Sequence, residues 1–593
     1  MKTPSECSGS YRRHEIRRVE SLDGIWEFAF HEDECPGGRA ATGHCGLMPV
    51  PQAFDATPAL RNRRGLGIYR KVVVVEPGTH AHLEFESVGI EATVLVDGIQ
   101  VAVNRCSFLP FEAGIPVSDS REREVVVIAD NRFDAKRTPL HAPYYDFRQY
   151  GGIMGSVRLH HTGEVWIKSL RVDIRNPREG LVVLEIELNK AADRRMAAEV
   201  FVDGAIMRRL DLAFEGGHAN LPLRIPNPRI WSPGTPHLHL VRLVLPECGD
   251  DLQTRIGLRT IRCANRRLEL NGDPIRLAGV NRHEMHPDFG SAVPPGLMLG
   301  DLMILKSMGA NFVRGSHYPQ KREFLDLCDA LGFLVWEEML GWQQGGEHFA
   351  SPAYRNAHRK GLAAMVLDHV NHPSVILWGF LNEAETDSSA AREILEESFE
   401  IVRHLDPSRP VTYATCKGAS DLFLSLADVL CFNTYPGWYG CEEDDGDTLR
   451  HIGPALRALV DFAESREDLR DKPVVISEIG AEGLYGVRDV TAPFYSEDYQ
   501  AAYLTEVGRA LAACPEISGI ALWHFADVQT YAGGRAIRRP RGCNNKGLLN
   551  EYRQPKLAAE AAAGLFARFL SARDILCPAA AETPLPDFQK VGC

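Results

Sequence analysis

The sequence predicts a multidomain β plus α/β chain, two β-sandwiches followed by a (β/α)8 TIM barrel, and three observations lead there. Roughly the first 260 residues read as short alternating strands with Asp-Gly turns. After about Arg262 the pattern changes to strand, then helix, repeatedly. Eight short apolar runs can be counted in that second part, the number that closes such a barrel.

In the first part Leu83-Glu84-Phe85-Glu86 alternates apolar and charged residues with period two, as a half-buried strand does. Thr93 to Val96 and Ile99 to Val103 flank Asp97-Gly98, a two-residue hairpin signal, and Val125 to Ala129 is another strand. The pattern resumes after Val165 with Leu181 to Leu188 and a second Asp-Gly turn at Asp203-Gly204. The predicted units are residues 1–162, 163–262 and 263–593. The eight runs of the third unit are Ile275 to Val280, Asn311 to Arg314, Phe333 to Trp336, Val375 to Trp378, Val411 to Ala414, Val429 to Phe432, Val474 to Ser477 and Ile520 to Trp523. Helical stretches such as Gly300 to Met308, Lys321 to Leu331, Ala353 to His369 and Glu497 to Ala513 lie between them. No GxGxxG follows the first run, which disfavours a doubly wound open sheet. The Pro- and Ala-rich stretch Cys577 to Cys593 reads as an irregular tail.

Composition narrows the class of protein. Of the 593 residues, 45% are hydrophobic and 24% charged, which suits a folded chain and excludes a wholly disordered one. No run approaches the ~18 to 20 apolar residues that cross a bilayer, and the start MKTPSECSGSYRRHEIRR lacks the apolar core of a signal peptide. Fourteen cysteines without a close-spaced CxxC pair read as free thiols, so a cytoplasmic location is expected. The formal charge of −13 argues against nucleic acid as a partner.

In a barrel of this kind the reactive groups sit at the C-terminal ends of the strands. Run two ends in Arg314-Gly315-Ser316-His317-Tyr318 and run three in Glu337-Glu338. Run four leads into Asn382-Glu383, run six into Asn433 and Tyr435, run seven into Glu478, and run eight ends in Trp523-His524. Glu383 and Glu478 end strands on opposite sides of the ring, and a facing pair of acids is what glycosidic bond cleavage requires: one protonates the leaving oxygen, the other attacks or activates water. Arg314 is expected to keep Glu478 ionised, Asn382 to bind the sugar 2-hydroxyl, and Trp523 to form a flat apolar wall. His317 is divided between substrate contact and structural hydrogen bonding, and Glu337 and Glu338 have no assigned role. The histidines of Arg282-His283-Glu284-Met285-His286 lack the further ligands of a metal site and read as polar packing. Cys431 and Cys543 have no paired histidine base and read as inert.

Taken together, these motifs resemble glycoside hydrolase family 2 over nearly the whole chain. The resemblance rests on Leu22-Asp23-Gly24-Ile25-Trp26, Gln149-Tyr150-Gly151-Gly152-Ile153, Gly279-Val280-Asn281-Arg282-His283-Glu284, Arg314 to Pro319, His372-Pro373-Ser374-Val375 running on to Asn382-Glu383, and Ser477-Glu478-Ile479-Gly480. It implies a jelly-roll sugar-binding-like domain, an immunoglobulin-like sandwich and a catalytic barrel. It also implies a retaining mechanism with Glu383 as acid/base and Glu478 as nucleophile, without cofactor or metal, and a homo-oligomer.

After run eight the chain reads Arg541-Gly542-Cys543-Asn544-Asn545-Lys546-Gly547, which looks like the Asn-x-Lys signature of members that act on uronic acids. A sugar carboxylate suits a cation plus an amide donor, since charge-assisted hydrogen bonds are the strong ones. Asp146 resembles the acid that the first sandwich lends to sugar hydroxyls, and Tyr435 and Tyr439 resemble the pocket tyrosines. Arg541 is the candidate for an arginine that helps to bind the carboxylate. The implied substrate is a small-molecule or oligosaccharide β-glucuronide. A galacturonide differs at the 4-hydroxyl and remains the alternative, ahead of a galactoside, which would leave Asn544 and Lys546 without purpose. A non-catalytic carbohydrate-binding protein is disfavoured by the presence of both acids. The opening Arg282-His283-Glu284-Met285-His286-Pro287 is closer to the galactosidase pattern, and the short segment between Glu338 and Ala353 implies an open entrance.

Overall fold

The computed structural model describes residues 13–32, 46–441, 447–531 and 539–571. The Cys577 to Cys593 tail lies outside the described residues. A four-stranded antiparallel sheet (Arg18–Ser21, Val157–Thr162, His80–Phe85, Phe111–Ile115) faces a six-stranded one (Gly46–Val50, Gly24–His31, Leu66–Val74, Glu122–Asp130, Glu91–Val96, Ile99–Asn104). The alternation read in the sequence puts Leu83, Phe85, Val94, Val125, Val127, Val157 and Leu159 between them, around Trp26. Asp97 and Gly98 have φ of 50° and 79°, and Asp203 and Gly204 have 50° and 81°. These are the left-handed pairs that two-residue hairpins require, and Asp and Gly tolerate them.

The second sandwich packs a three-stranded sheet (Ile167–Asn176, Leu181–Leu188, His218–Arg224) on a four-stranded one (Ala205–Phe214, Arg194–Val202, His239–Leu245, Asp250–Ile256). A small meander, Ile261–Ala264, Arg267–Leu270 and Asp273–Ile275, then precedes the barrel. It takes Ile275, which the sequence reading assigned to the first barrel strand. Leu268 and Leu270 of the meander, with Trp231, pack on Leu277, Phe312, Leu334 and Trp336 and close one end of the barrel.

Eight parallel strands form a closed barrel: β1 Leu277–Asn281, β2 Phe312–Gly315, β3 Leu334–Glu338, β4 Val375–Asn382, β5 Val411–Thr415, β6 Leu430–Asn433, β7 Val474–Ile479 and β8 Ile517–Leu522. Each overlaps one of the eight runs, because strands buried on both faces are continuous apolar stretches. Helices Arg322–Leu331, Pro352–His369 and Glu497–Ala512 match the predicted ones within a turn, whereas Pro295–Ser307 begins five residues before the predicted Gly300, and no helix among the described residues is long and apolar enough to cross a membrane.

The first sandwich also reaches the mouth of the barrel. Tyr145 packs against Trp342, and its hydroxyl accepts the Gln344 side-chain amide at 2.7 Å. Phe147 lies against His283, and the Arg148 N–H donates to Gln529 at 3.0 Å. Asp146, between them, is thereby carried to the strand ends.

Two glycines test how tightly this barrel is closed. A Cβ at Gly279 would lie 1.8 Å from the Phe312 carbonyl oxygen, whereas one at Gly300, in the helix Pro295–Ser307, meets nothing within 4 Å. Gly279→Ala should therefore lower stability by about 1–3 kcal/mol or more, and Gly300→Ala should raise it by about 0.5–1 kcal/mol. Urea unfolding midpoints check both signs.

Candidate active site

The pocket is organised by Arg314, which is fully buried on β2 with its guanidinium over the Trp336 ring at 4.5 Å. Nε and Nη2 donate to Glu338 Oε2 at 3.0 and 2.8 Å. Nη1 donates to Glu478 Oε1 at 2.9 Å and to Asn281 Oδ1 at 3.1 Å, and Nη2 donates to Asn382 Oδ1 at 2.9 Å. One side chain thus joins the ends of β1, β3, β4 and β7. Only arginine offers that many donors in a fixed planar fork.

Glu478 also accepts from the Tyr435 hydroxyl, Oε2 at 2.6 Å. Glu383 follows β4 in a left-handed conformation, φ 51°, with its N–H on the Ala414 carbonyl at 2.9 Å. Its Oε1 accepts from Asn433 Nδ2 at 3.1 Å and its Oε2 from Gln343 Nε2 at 3.0 Å. Asn433 Nδ2 also donates to Asn382 Oδ1 at 2.9 Å, and Asn382 Nδ2 is buried without a hydrogen-bond partner. That leaves one donor available to a bound hydroxyl. His317 Nδ1 lies 3.0 Å from Glu338 Oε1, its Nε2 is 3.9 Å from Glu478 Oε1, and its ring stacks on Trp523 at 5.0 Å.

The electrostatics differ from the sequence expectation in one respect. Arg314 and the Tyr435 hydroxyl favour the ionised form of Glu478, but burial and the neighbouring Glu383 outweigh them and push its carboxyl up to about 8. Burial likewise pushes Glu338 up to about 7 against the pull of Arg314. The physical reason is that one guanidinium is shared between two buried carboxyls, so neither receives a whole compensating charge. The residue left without a role in the sequence, Glu338, is therefore the group that divides Arg314's charge.

A second cluster lies beyond the two tyrosines. Lys546 is fully buried; its Nζ donates to the Tyr439 hydroxyl at 2.9 Å and to Glu482 Oε1 at 3.1 Å. It lies over the Tyr439, Trp438 and Tyr435 rings at 4.8, 5.5 and 5.8 Å. Asn544 Nδ2 donates to Asp146 Oδ2 at 3.0 Å. The loop is fixed locally: Cys543–Asn544 pairs with Val528–Gln529, and Gln500 Nε2 donates to the Lys546 and Gly547 carbonyls at 3.1 Å each. Arg541 is not part of the cluster. Its φ of 62° turns the side chain away onto Glu551. Arg539 takes the place instead, with its guanidinium on both Asp146 oxygens, on Glu482 Oε1 and on the Tyr439 hydroxyl.

Arg539, Glu482 and Gln343 were not singled out from sequence, and Asn433 was noted at the end of run six without a role. Glu482 follows Glu478 by four residues, a signal that could have been read. In Arg538-Arg539-Pro540-Arg541 nothing local says which arginine turns inward.

Among the described residues, two groups place three donors together, Asp203 with His237 and His239, and Asp326 with Asp329 and His372, neither at the strand C-termini. Their atoms are already committed. His239 Nε2 accepts the Arg229 N–H at 3.1 Å, so its Nδ1 carries the proton that Asp203 accepts at 2.7 Å. Asp329 accepts from the Ser374 N–H and contacts His372, while Asp326 pairs with Arg255. His283 packs among Phe147, Tyr318 and Trp523, and Glu284 pairs with Lys321 at 2.8 Å. Burial pushes both the Cys431 and Cys543 thiols up to about 12, which keeps them protonated at neutral pH.

Residues 261–569 match the family described as "Glycosyl hydrolases family 2, TIM barrel domain". A β-glucuronidase of Paenibacillus borealis is 28% identical over 92% of this chain and 96% of its own length. A GH2 β-galacturonidase of Eisenbergiella tayi, solved bound to galacturonate, is 32% identical with a TM-score of 0.85 over 94% of this chain and 98% of that one. A Bifidobacterium dentium β-glucuronidase complexed with coumarin-3-O-glucuronide has the same TM-score at 25% identity, covering 94% of this chain and 98% of its own. With the family match spanning more than half of its residues, and with these likenesses running nearly end to end, this chain is a glycoside hydrolase and belongs to family 2.

Proposed function

We propose that the chain is a retaining, exo-acting β-glucuronidase that releases glucuronate from a β-D-glucuronide. The observation that carries this reading is the pairing of two sites through adjacent tyrosines. Tyr435 donates to Glu478, while Tyr439, whose ring meets that of Tyr435 at 5.1 Å, accepts from Lys546. A sugar whose anomeric carbon lies at Glu478 would thus extend its C5 carboxylate toward Lys546, Asn544 and Arg539. In the first half-reaction Glu478 attacks the anomeric carbon while Glu383 protonates the departing oxygen. In the second, Glu383 takes a proton from water, which displaces Glu478. Arg314 and Tyr435 hold the Glu478 oxygens, and the unpartnered amide N–H of Asn382 is placed for the 2-hydroxyl.

The reaction needs one proton on the acid pair. Burial and the neighbouring Glu383 push the Glu478 carboxyl up to about 8. Glu478 attacks only when ionised, so its competent form grows as pH rises through that value. kcat/KM is therefore expected to rise with pH up to about 8 as Glu478 ionises. A profile flat through pH 9 contradicts the assignment.

A second reading, a β-galacturonidase, is favoured by the 32% identity to the Eisenbergiella tayi enzyme. It uses the same cationic end and differs in what faces the 4-hydroxyl, for which Asp146 is the candidate. Chromogenic β-glucuronide, β-galacturonide and β-galactoside assayed side by side distinguish the readings. Glu478→Gln should lower turnover by at least about 10³-fold, a conservative estimate for loss of a nucleophile acting with its partner acid, with the fold intact by circular dichroism. Unchanged turnover would remove Glu478 from the mechanism.

The arginine assignment has its own test. Arg539→Ala and Lys546→Ala should each reduce kcat/KM on the preferred uronide by about 30-fold or more, as expected when a buried charge partner worth 2–5 kcal/mol is removed, and spare any galactoside turnover. Arg541→Ala should change neither by more than about threefold, in line with an exposed ion pair of 0–1 kcal/mol.

A further inference from the structure

We infer that the cavity between the first sandwich and the ribbon carrying Asn544 binds a doubly charged oxyanion, either phosphate or the phosphoryl group of a larger molecule. This site lies outside the sugar pocket and does not depend on which glycoside is cleaved.

The cavity, of about 370 Å³, opens between Arg61, Arg64 and Arg148 of the first sandwich and Gln529, Tyr531 and Arg541 of the barrel loops. Its barrel wall is the ribbon in which Val528–Gln529 pairs with Cys543–Asn544, extended by the Thr530 N–H on the Gly542 carbonyl at 3.0 Å. Asn544 on that ribbon belongs to the sugar pocket. Arg541, which its φ of 62° directs away from the sugar, lines this cavity instead. The Gln149 N–H and Arg64 Nη2 both donate to the Tyr531 hydroxyl, at 2.8 and 2.9 Å, and so join the two domains beside the cavity.

The charges around this space do not balance. Arg64 and Arg148 share one carboxyl, Asp55, at 3.8 and 3.7 Å, beyond hydrogen-bonding reach. The Asp55 oxygens accept instead from the Gly151 N–H and from Asn131 Nδ2, each at 3.0 Å. Burial also works against its ionised form and pushes the Asp55 carboxyl up. Arg148 is 7% exposed, and its Nε is buried without a hydrogen-bond partner. Arg541 is exposed and paired with Glu551, and Arg61 is exposed and makes no ion pair or hydrogen bond among the described residues. Four guanidinium groups thus stand against two carboxyls, which leaves two positive charges uncompensated around one partly buried space. Charges held out of water are costly unless they are paired, and a planar fork of N–H donors fits phosphate oxygens two at a time. A dianion restores the balance and bridges the two domains; a neutral sugar does neither.

The test titrates the full chain with inorganic phosphate and with phenyl phosphate, each against sodium chloride of equal ionic strength, by calorimetry and thermal unfolding. At least one phosphate should raise Tm saturably where chloride does not, since a ligand held only by the folded chain stabilises it. Tighter binding of phenyl phosphate identifies a phosphorylated molecule as the occupant, and tighter binding of inorganic phosphate the free ion; either order supports the site. Arg61→Gln and Arg541→Gln, both at exposed positions, should each raise the phosphate Kd about tenfold, the loss of one charge-assisted contact, and together should abolish saturation. Unchanged binding in the double variant overturns the inference, as does a chloride response equal to that of both phosphates. The cationic end of the sugar pocket is the competing location. Phosphate that inhibits glycoside hydrolysis competitively, with an inhibition constant equal to its Kd, is bound beside Lys546, and that result overturns the inference as well.

Discussion

The guanidinium of Arg314 constrains the rest of the pocket, because it is the cation in contact with two buried carboxyls, Glu338 and Glu478, with Glu383 nearby. Taking charges out of water costs several kcal/mol per ion, and an attraction shared between two acids does not offset it fully. The cluster therefore retains a proton, which a glycosidase needs on one of its two acids. The same five N–H groups tie four strand ends together, so the proton balance and the positions of Glu478 and Asn382 are set by one side chain.

The opposite end of the pocket is balanced differently. Lys546 and Arg539 are already paired, with Glu482 and Asp146, before any substrate is bound. On the proposed reading a uronate carboxylate joins a neutral quartet rather than a bare cation, and it competes with two acids for the same donors. Such a site has a high threshold: a neutral hydroxymethyl group cannot repay the disruption of buried ion pairs, whereas a carboxylate can. That makes selectivity a local property, compatible with a chain whose formal charge is −13.

Much of the frame was legible beforehand. Period-two alternation located the sandwich strands, and continuous apolar runs located all eight barrel strands, since burial on one face or two leaves those patterns directly. The positions of Glu383, Glu478, Asn382 and Arg314 followed from the rule that strand C-termini carry the chemistry. Ile275 was misplaced because an apolar residue before a strand reads like its first member. Arg541 was misplaced because the side chain that turns inward depends on a local φ and on acids nearly 400 residues away, at Asp146, and about 60 away, at Glu482.

The amino-acid sequence by itself determined the order of the units, the barrel and the strand ends at which Glu383 and Glu478 lie, because each is written in local period and in position relative to a strand end. Only the tertiary structure decided which groups surround those acids. Glu338 divides the charge of Arg314, Arg539 stands where Arg541 was expected, and Asn433 and Gln343 take one oxygen each of Glu383. These are contacts between separate strands, turns and domains. Their energies depend on burial and on the number of charges sharing one low-dielectric space, and neither quantity exists until the chain has folded.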